Sequence, residues 1–289
     1  MCRILLLFLF LFQFSTIFLF AQKNRVDLWN DVPSMKKEKT KLYIFSPPDS
    51  INNGASVIIC PGGSYFHLKG IKHEGFEVAE WLVKNGITAY VLRYRVKKDG
   101  YNHPAMIQDL QKALKWARDN ADKNHTAINK TGVMGFSAGG HLSLMAGIFY
   151  EENFLEPLGI TSNTNLKPDF IASIYPVVSM QDSLAHLRSR NSFFNLNYNK
   201  ELIDKYSIEK QVFHDMPPVF LTSAKDDTVV DYRNSLALEN ALTLNDVKHK
   251  FVLYEKGGHG YGMNPKRGGE AANFNVLFLK WLYEIAIIK

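Results

Sequence analysis

Gly132-Val133-Met134-Gly135-Phe136-Ser137-Ala138-Gly139-Gly140-His141 is the stretch on which the reading of this chain turns. Residues 131–136 form a short apolar run with the character of a strand. Residues 138–150 are rich in Ala, Leu and Met and predict a helix. Between them, Gly135, Ser137 and Gly139 spell G-x-S-x-G, the pattern of a serine held on a sharp strand-to-helix turn. Glycines flank such a serine because a Cβ there would collide with the neighbouring strand and helix. The helix that follows aims its first N–H groups at any negative charge that grows beside the serine. A glycine-rich loop that merely packs a helix on a sheet would carry the same letters, so the rest of the chain must supply the partners.

Upstream, residues 41–45 alternate like a half-buried strand and stop at Pro47 and Pro48. Residues 55–60 form an apolar run suited to a central, fully buried strand, leading into Pro61-Gly62-Gly63-Ser64-Tyr65. An amphipathic helix over 74–84 closes at Asn85-Gly86. A strand at 88–93 and a helix over 104–120 follow. Downstream come strands at 170–175, 218–222 and 250–254 and helices over 232–244 and 270–287. Residues 179–212 are less regular and predict short helices and loops lying over the sheet. Strands alternating with helices of ten or more residues predict an α/β protein with a doubly wound, mostly parallel sheet and helices on both faces.

The beginning of the chain has a different character. One early arginine, Arg3, precedes an almost unbroken apolar run from Ile4 to Phe20, which ends at Ala21-Gln22 before polar residues. Residues 1–21 therefore predict a signal peptide with cleavage after Ala21, a retained N-terminal anchor being the alternative. Export, to the periplasm or the medium, and no stable membrane association after cleavage are the corresponding expectations. Residues 22–40 read as a polar surface arm, and 41–289 as one catalytic domain.

With 289 residues and a net charge of +6, the chain suits one large domain rather than two small ones. Its Lys and Arg are scattered among Asp and Glu, with no basic face interleaved with aromatics, so a nucleic-acid partner is not expected. Only Cys2 and Cys60 are present, and Cys2 falls in the leader, which excludes a disulfide within residues 22–289. No metal-ligand spacing is visible and no cofactor is called for.

A serine hydroxyl is a poor nucleophile until a base takes its proton, and that base must be held in one orientation. In a doubly wound sheet the partners belong on loops after later strands, at the same carboxyl edge. The strand at 218–222 runs into Lys225-Asp226-Asp227, and the strand at 250–254 into Gly257-Gly258-His259-Gly260. His259 lies between glycines that let its loop bend back over the serine. Either Asp226 or Asp227 can supply the acid; the first carboxylate beyond the strand is expected nearest the sheet edge, which selects Asp226 and leaves Asp227 to shape the turn. The order Ser137, Asp226, His259 is that of an α/β-hydrolase. For the oxyanion, backbone N–H groups are expected from Ala138 and from Gly63 and Ser64 in the small-residue turn. His67 and His141 are expected to line the pocket or pack against the serine turn. Tyr65, Phe66, Phe193, Phe194 and Tyr261 are candidates for a cleft lining.

Taken together, Pro61-Gly62-Gly63-Ser64-Tyr65, Glu74-Gly75, Trp81-Leu82, Tyr94-Arg95, His103-Pro104 with Asp109, Gly135 through Leu142, Pro217-Pro218, Asp226-Asp227 and Gly257 through Gly260 resemble exported carbohydrate-esterase-like α/β-hydrolases. These are acetyl xylan esterase and feruloyl esterase relatives, similar in turn to hormone-sensitive-lipase-like esterases. The resemblance runs from about Leu42 to the C-terminus. It implies Ser137 as nucleophile, Asp226 as orienting acid and His259 as base. Ser64 departs from it, since that group more often has a third glycine there. The implied function is a serine esterase acting on acetyl or other acyl esters of plant cell-wall carbohydrate, with an acylated carbohydrate or other small ester as its partner. Two alternatives are an exported peptidase of prolyl-oligopeptidase type and a non-catalytic glycan-binding protein on a hydrolase fold. The first normally needs an additional domain for which the chain has no room; the second normally lacks a member of the triad.

Overall fold

Burial on both faces organises the sheet. Strand β3 (Ser56–Cys60) is covered along its whole length, with Val57 and Ile59 facing one layer of helices and Ile58 and Cys60 the other. In the computed structural model, which describes residues 22–161 and 163–289, β3 lies inside an eight-stranded sheet. The order is β1 (Gln22–Asp27), β2 (Lys41–Ser46), β4 (Thr88–Arg93), β3, β5 (Thr131–Phe136), β6 (Ile171–Ile174), β7 (Val219–Ala224) and β8 (His249–Tyr254). From β4 to β8 all neighbours are parallel; β1 and β2 join as antiparallel strands at one end.

The helices divide as a doubly wound sheet requires. On one face, α1 (Glu77–Lys84) brings Val78 and Leu82, and α8 (Phe274–Glu284) brings Phe278 and Trp281, onto Val57, Phe136 and Phe220. On the other, α2 (Ala105–Asp119), α3 (Ala138–Ile148) and α6 (Arg233–Leu244) pack Leu110, Leu142 and Leu238 against Ile58, Val133 and Leu221. The irregular segment after β6 carries the short helices α4 (Leu187–Phe194) and α5 (Lys200–Lys205), and a further short helix, α7 (Pro265–Gly268), precedes α8. Phe193 of α4 packs on Tyr65, His103 and His141 with ring centroids 5.0, 4.7 and 5.6 Å away, so α4 is anchored to the body of the protein.

The expected leader, residues 1–21, lies outside the described residues. The surface arm expected over 22–40 is corrected by the structure. Gln22–Asp27 pairs along its length with β2, and Leu28, Trp29, Val32 and Met35 are buried in the core. Four apolar residues scattered among polar ones left no clean period, yet they suffice to dock the segment against α2. The contact is also polar: the indole N–H of Trp29 donates to Asp109 (2.7 Å), as does the Thr40 hydroxyl (3.2 Å). Asp109 is completed by the backbone N–H (2.7 Å) and guanidinium (3.0 Å) of Arg95.

Candidate active site

Ser137 follows β5 directly and caps α3 at φ +54°, ψ −119°, a conformation that costs a non-glycine residue energy and persists only where its surroundings enforce it. Its own N–H donates to the Ile174 carbonyl (3.0 Å), and its carbonyl accepts from Val177 N–H (3.1 Å), which locks the turn to the end of β6. Close approach explains the glycines. A Cβ on Gly135 would stand 1.9 Å from the Gly139 carbonyl oxygen, and one on Gly139 would stand 2.0 Å from that of Cys60.

The loop after β8 reverses between Gly258 and Gly260, both at positive φ, and returns His259 over Ser137. The imidazole Nε2 is 2.9 Å from Ser137 Oγ, and Nδ1 is 2.6 Å from Oδ2 of Asp227. An ionised carboxylate only accepts, so Nδ1 carries the ring proton and the Nε2 lone pair faces the hydroxyl. The other oxygen of Asp227 accepts from the N–H groups of Val229 (2.8 Å) and Val230 (2.9 Å), which fixes the carboxylate plane. The side chain of Asp227 is 1 % exposed.

Asp227, not Asp226, meets the imidazole. Thr222 is the expected end of the strand, but β7 continues to Ala224 and then turns, with Asp227 N–H closing onto the Ala224 carbonyl (3.2 Å). That turn carries the first carboxylate past the sheet edge and brings the second one inward. Asp226 accepts instead from the N–H groups of Gly257 and Gly258, each at 2.8 Å, and so supports the histidine loop from outside.

The turn after β3 lies against the serine: a Cβ on Gly62 would stand 3.1 Å from the Ser137 Cβ. Ser64 and Tyr65 sit at φ +59° and +57°, which explains why a glycine suits the third position of this turn and what the serine costs there. The Gly62 N–H is occupied, donating to Glu74 Oε2 at 2.7 Å. Gly63 and Ser64 follow it, and Ala138 stands in the first turn of α3, where N–H groups have no intrahelical acceptor.

Glu74 and Tyr175 are two residues of the site that sequence reasoning misses. The buried Glu74 carboxylate also accepts from the Tyr175 hydroxyl (2.9 Å), which in turn accepts from Gly262 N–H (3.2 Å). The Tyr175 ring centroid is 4.9 Å from that of His259. One carboxylate thus ties the turn after β3 to the loop that carries the base. Sequence offers only Glu74-Gly75 at the start of an amphipathic segment. The wide turn over Lys72–Phe76, which points Glu74 inward, has no periodic signature.

His141 is buried beneath the serine turn, accepting from the Tyr65 hydroxyl (2.9 Å) and donating to the Tyr206 carbonyl (2.8 Å). Burial pushes it down to about 4, so it stays neutral. Of the five aromatic candidates for a cleft, Tyr65, Phe193, Phe194 and Tyr261 are core residues, and Phe66 alone is partly exposed. His67 is half-buried beside it.

Known proteins place this geometry in context. The profile of the BD-FAE family matches residues 42–242. An acetylxylan esterase of Xylanibacter ruminicola is 30 % identical over 78 % of this chain and 44 % of its own length. Endo-1,4-beta-xylanase B of Butyrivibrio fibrisolvens is 28 % identical over 76 % of this chain and 34 % of its own. The chain therefore spans less than half the length of these two relatives. Among solved structures, the acetyl ester-xyloside bifunctional hydrolase of Caldicellulosiruptor lactoaceticus superposes with a TM-score of 0.82 at 30 % identity, covering 93 % of this chain and 98 % of that one. With an α/β-hydrolase sheet, a serine on its strand-to-helix turn and the family profile spanning most of that frame, the chain belongs to the BD-FAE family and carries the architecture of a carboxylic ester hydrolase.

Proposed function

We propose that this protein is a serine carboxylesterase that removes acetyl, or other acyl, groups from carbohydrate. The observation that carries the reading is the unbroken chain from Ser137 Oγ through His259 to Asp227, with links of 2.9 and 2.6 Å. His259 Nε2 takes the hydroxyl proton as Oγ attacks the ester carbonyl, and Asp227 stabilises the imidazolium that forms. The oxyanion is met by backbone N–H groups of Gly63, Ser64 and Ala138; one such donor is worth about 3 kcal/mol in the transition state. His259 then returns the proton to the departing sugar hydroxyl, leaving an acyl-enzyme on Ser137. Water, activated by the same nitrogen, releases the acid. The names of the relatives support a carbohydrate alcohol as the leaving group. Export after cleavage behind Ala21 belongs to the same reading, and such cleavage would leave β1 intact.

The test is acetate release from acetylated xylan by residues 22–289, beside Ser137→Ala. Acetate from the wild type alone is the expected result. Cleavage of a small aryl acetate without any release from xylan would refute the carbohydrate assignment, and failure on both would refute the esterase reading.

A further inference from the structure

The rim of the site is cationic where the turn after β3 meets α4. Phe66, two residues beyond Ser64, presents its partly exposed ring to the guanidinium of Arg188, whose central carbon lies 4.9 Å from the ring centroid. Arg188 is the second residue of α4. Just before it, His186 and Leu187 share with Asp227 and Thr228 the wall of a cavity of about 430 Å³. The arginine therefore spans from the flank of the acid to the turn that abuts Ser137. The Phe66 carbonyl accepts from the backbone N–H of Lys98 (3.0 Å), and the Lys69 N–H donates to His67 Nδ1 (3.4 Å). Lys69 and Lys98 line a second, smaller cavity of about 270 Å³ with His67, Arg93 and Asp99.

The carboxylates nearby are already engaged. Asp99 pairs with Arg93 (3.1 Å) and Asp182 with Arg190 (2.6 Å), whereas Lys69, Lys98 and Arg188 have no carboxylate partner among the described residues. The positive field reaches inward: burial, with the added repulsion of Arg188, Lys69 and Lys98, holds His67 below its ordinary value. Here Arg188 lies over the Phe66 ring, and Lys69 and Lys98 line the adjoining cavity beside His67. An arginine held over an aromatic face, with no carboxylate of its own, has N–H groups to offer the two oxygens of a planar anion.

We propose that this shelf is a subsite for the carboxylate of an acidic sugar, and that the site is matched to acyl esters on glycans bearing uronic acids. The inference rests on the carbohydrate-esterase reading above and narrows its substrate class. The uronate lies on Arg188 and Phe66 while a neighbouring acylated sugar presents its ester to Ser137.

The experiment compares kcat/KM on acetylated glucuronoxylo-oligosaccharides with the same oligosaccharides after reduction of their carboxyl groups to alcohols. Because the ester and the backbone are unchanged, the ratio isolates the carboxylate. Ion pairs on an open rim predict a ratio of about three to thirty in low salt, falling toward one in about 0.5 M NaCl. The double variant Arg188→Gln, Lys98→Gln should bring the ratio to about one in low salt. A ratio of one in the wild type, or a ratio that survives in the double variant, would overturn the proposal. An equal gain from oligosaccharides carrying a sulfate in place of the carboxylate would also overturn it, by showing that the shelf reads charge alone. Release of acetate from neither oligosaccharide would sink the carbohydrate reading as a whole, a result distinct from deacetylation without preference.

Discussion

Replacing each of two adjacent aspartates by asparagine should have very different consequences. In Asp227→Asn, the amide oxygen can still accept from Val229 and Val230, so the turn survives. The amide nitrogen then faces His259 Nδ1 across a contact of 2.6 Å, donor against donor. Relief comes from moving the ring proton to Nε2, which turns the nitrogen facing Ser137 Oγ from an acceptor into a donor. The hydroxyl no longer has a base. In a serine protease the same tautomer switch costs about 10⁴ in kcat, or about 5 kcal/mol at 1.36 kcal/mol per decade. In Asp226→Asn, by contrast, the amide oxygen still accepts from Gly257 and Gly258 at an exposed position, and activity should remain within about tenfold of wild type. Initial rates on 4-nitrophenyl acetate, with circular dichroism to verify folding, measure both. A larger loss in Asp226→Asn than in Asp227→Asn would refute the assignment of the acid.

Three other perturbations test the surroundings of the site. Glu74→Gln puts an amide N–H₂ against the Tyr175 hydroxyl, which already accepts from Gly262, and leaves that hydroxyl without an acceptor for its own proton; steady-state kinetics should show kcat down about 10- to 100-fold with KM little changed. Asp109→Ala strands the Arg95 guanidinium, only 5 % exposed as a residue, and should cost about 3–5 kcal/mol in urea unfolding, with Trp29→Phe costing less. Burial pushes His103 down to about 3 and His141 to about 4, so both stay neutral in the fold. Below their unfolded value of about 6.5 the unfolded chain binds protons that the fold does not, so stability is full at neutral pH and falls as pH drops from about 6.5 toward 4, by up to about 1.4 kcal/mol per unit for each. Urea midpoints at pH 7.5, 6 and 5 measure this slope, and a flat profile would count against it.

The fold is legible in the sequence because its signals are periodic. Five buried parallel strands and the helices between them announce themselves through apolar runs and caps, and the glycines around Ser137 and His259 mark the two backbone reversals. The choice between Asp226 and Asp227 is not legible, because it depends on whether β7 ends at Thr222 or Ala224, and Ser223 fits a strand or a turn equally well. The docking of residues 22–40 is hidden for a different reason. Trp29 and Thr40 are held by Asp109, and nothing local in a sequence records a partner 80 or 69 positions away. The role of Glu74 is hidden in the same way, since Tyr175 lies 101 residues beyond it.

The clasp around Asp109 also constrains the order in which the chain can fold. Residues 22–40 are made early, yet their indole and hydroxyl donors are directed at a carboxylate that emerges about 70–80 residues later. Until α2 exists, Trp29 has neither its acceptor nor its apolar bed, and β1 with β2 amounts to a two-stranded hairpin, marginal by itself. The docking of this segment therefore depends on contacts that close only after α2 has been made. Loop closure across such a separation is slow relative to local pairing. The native place of residues 22–40 is thus defined by a part of the chain made after them, and Asp109 couples the two.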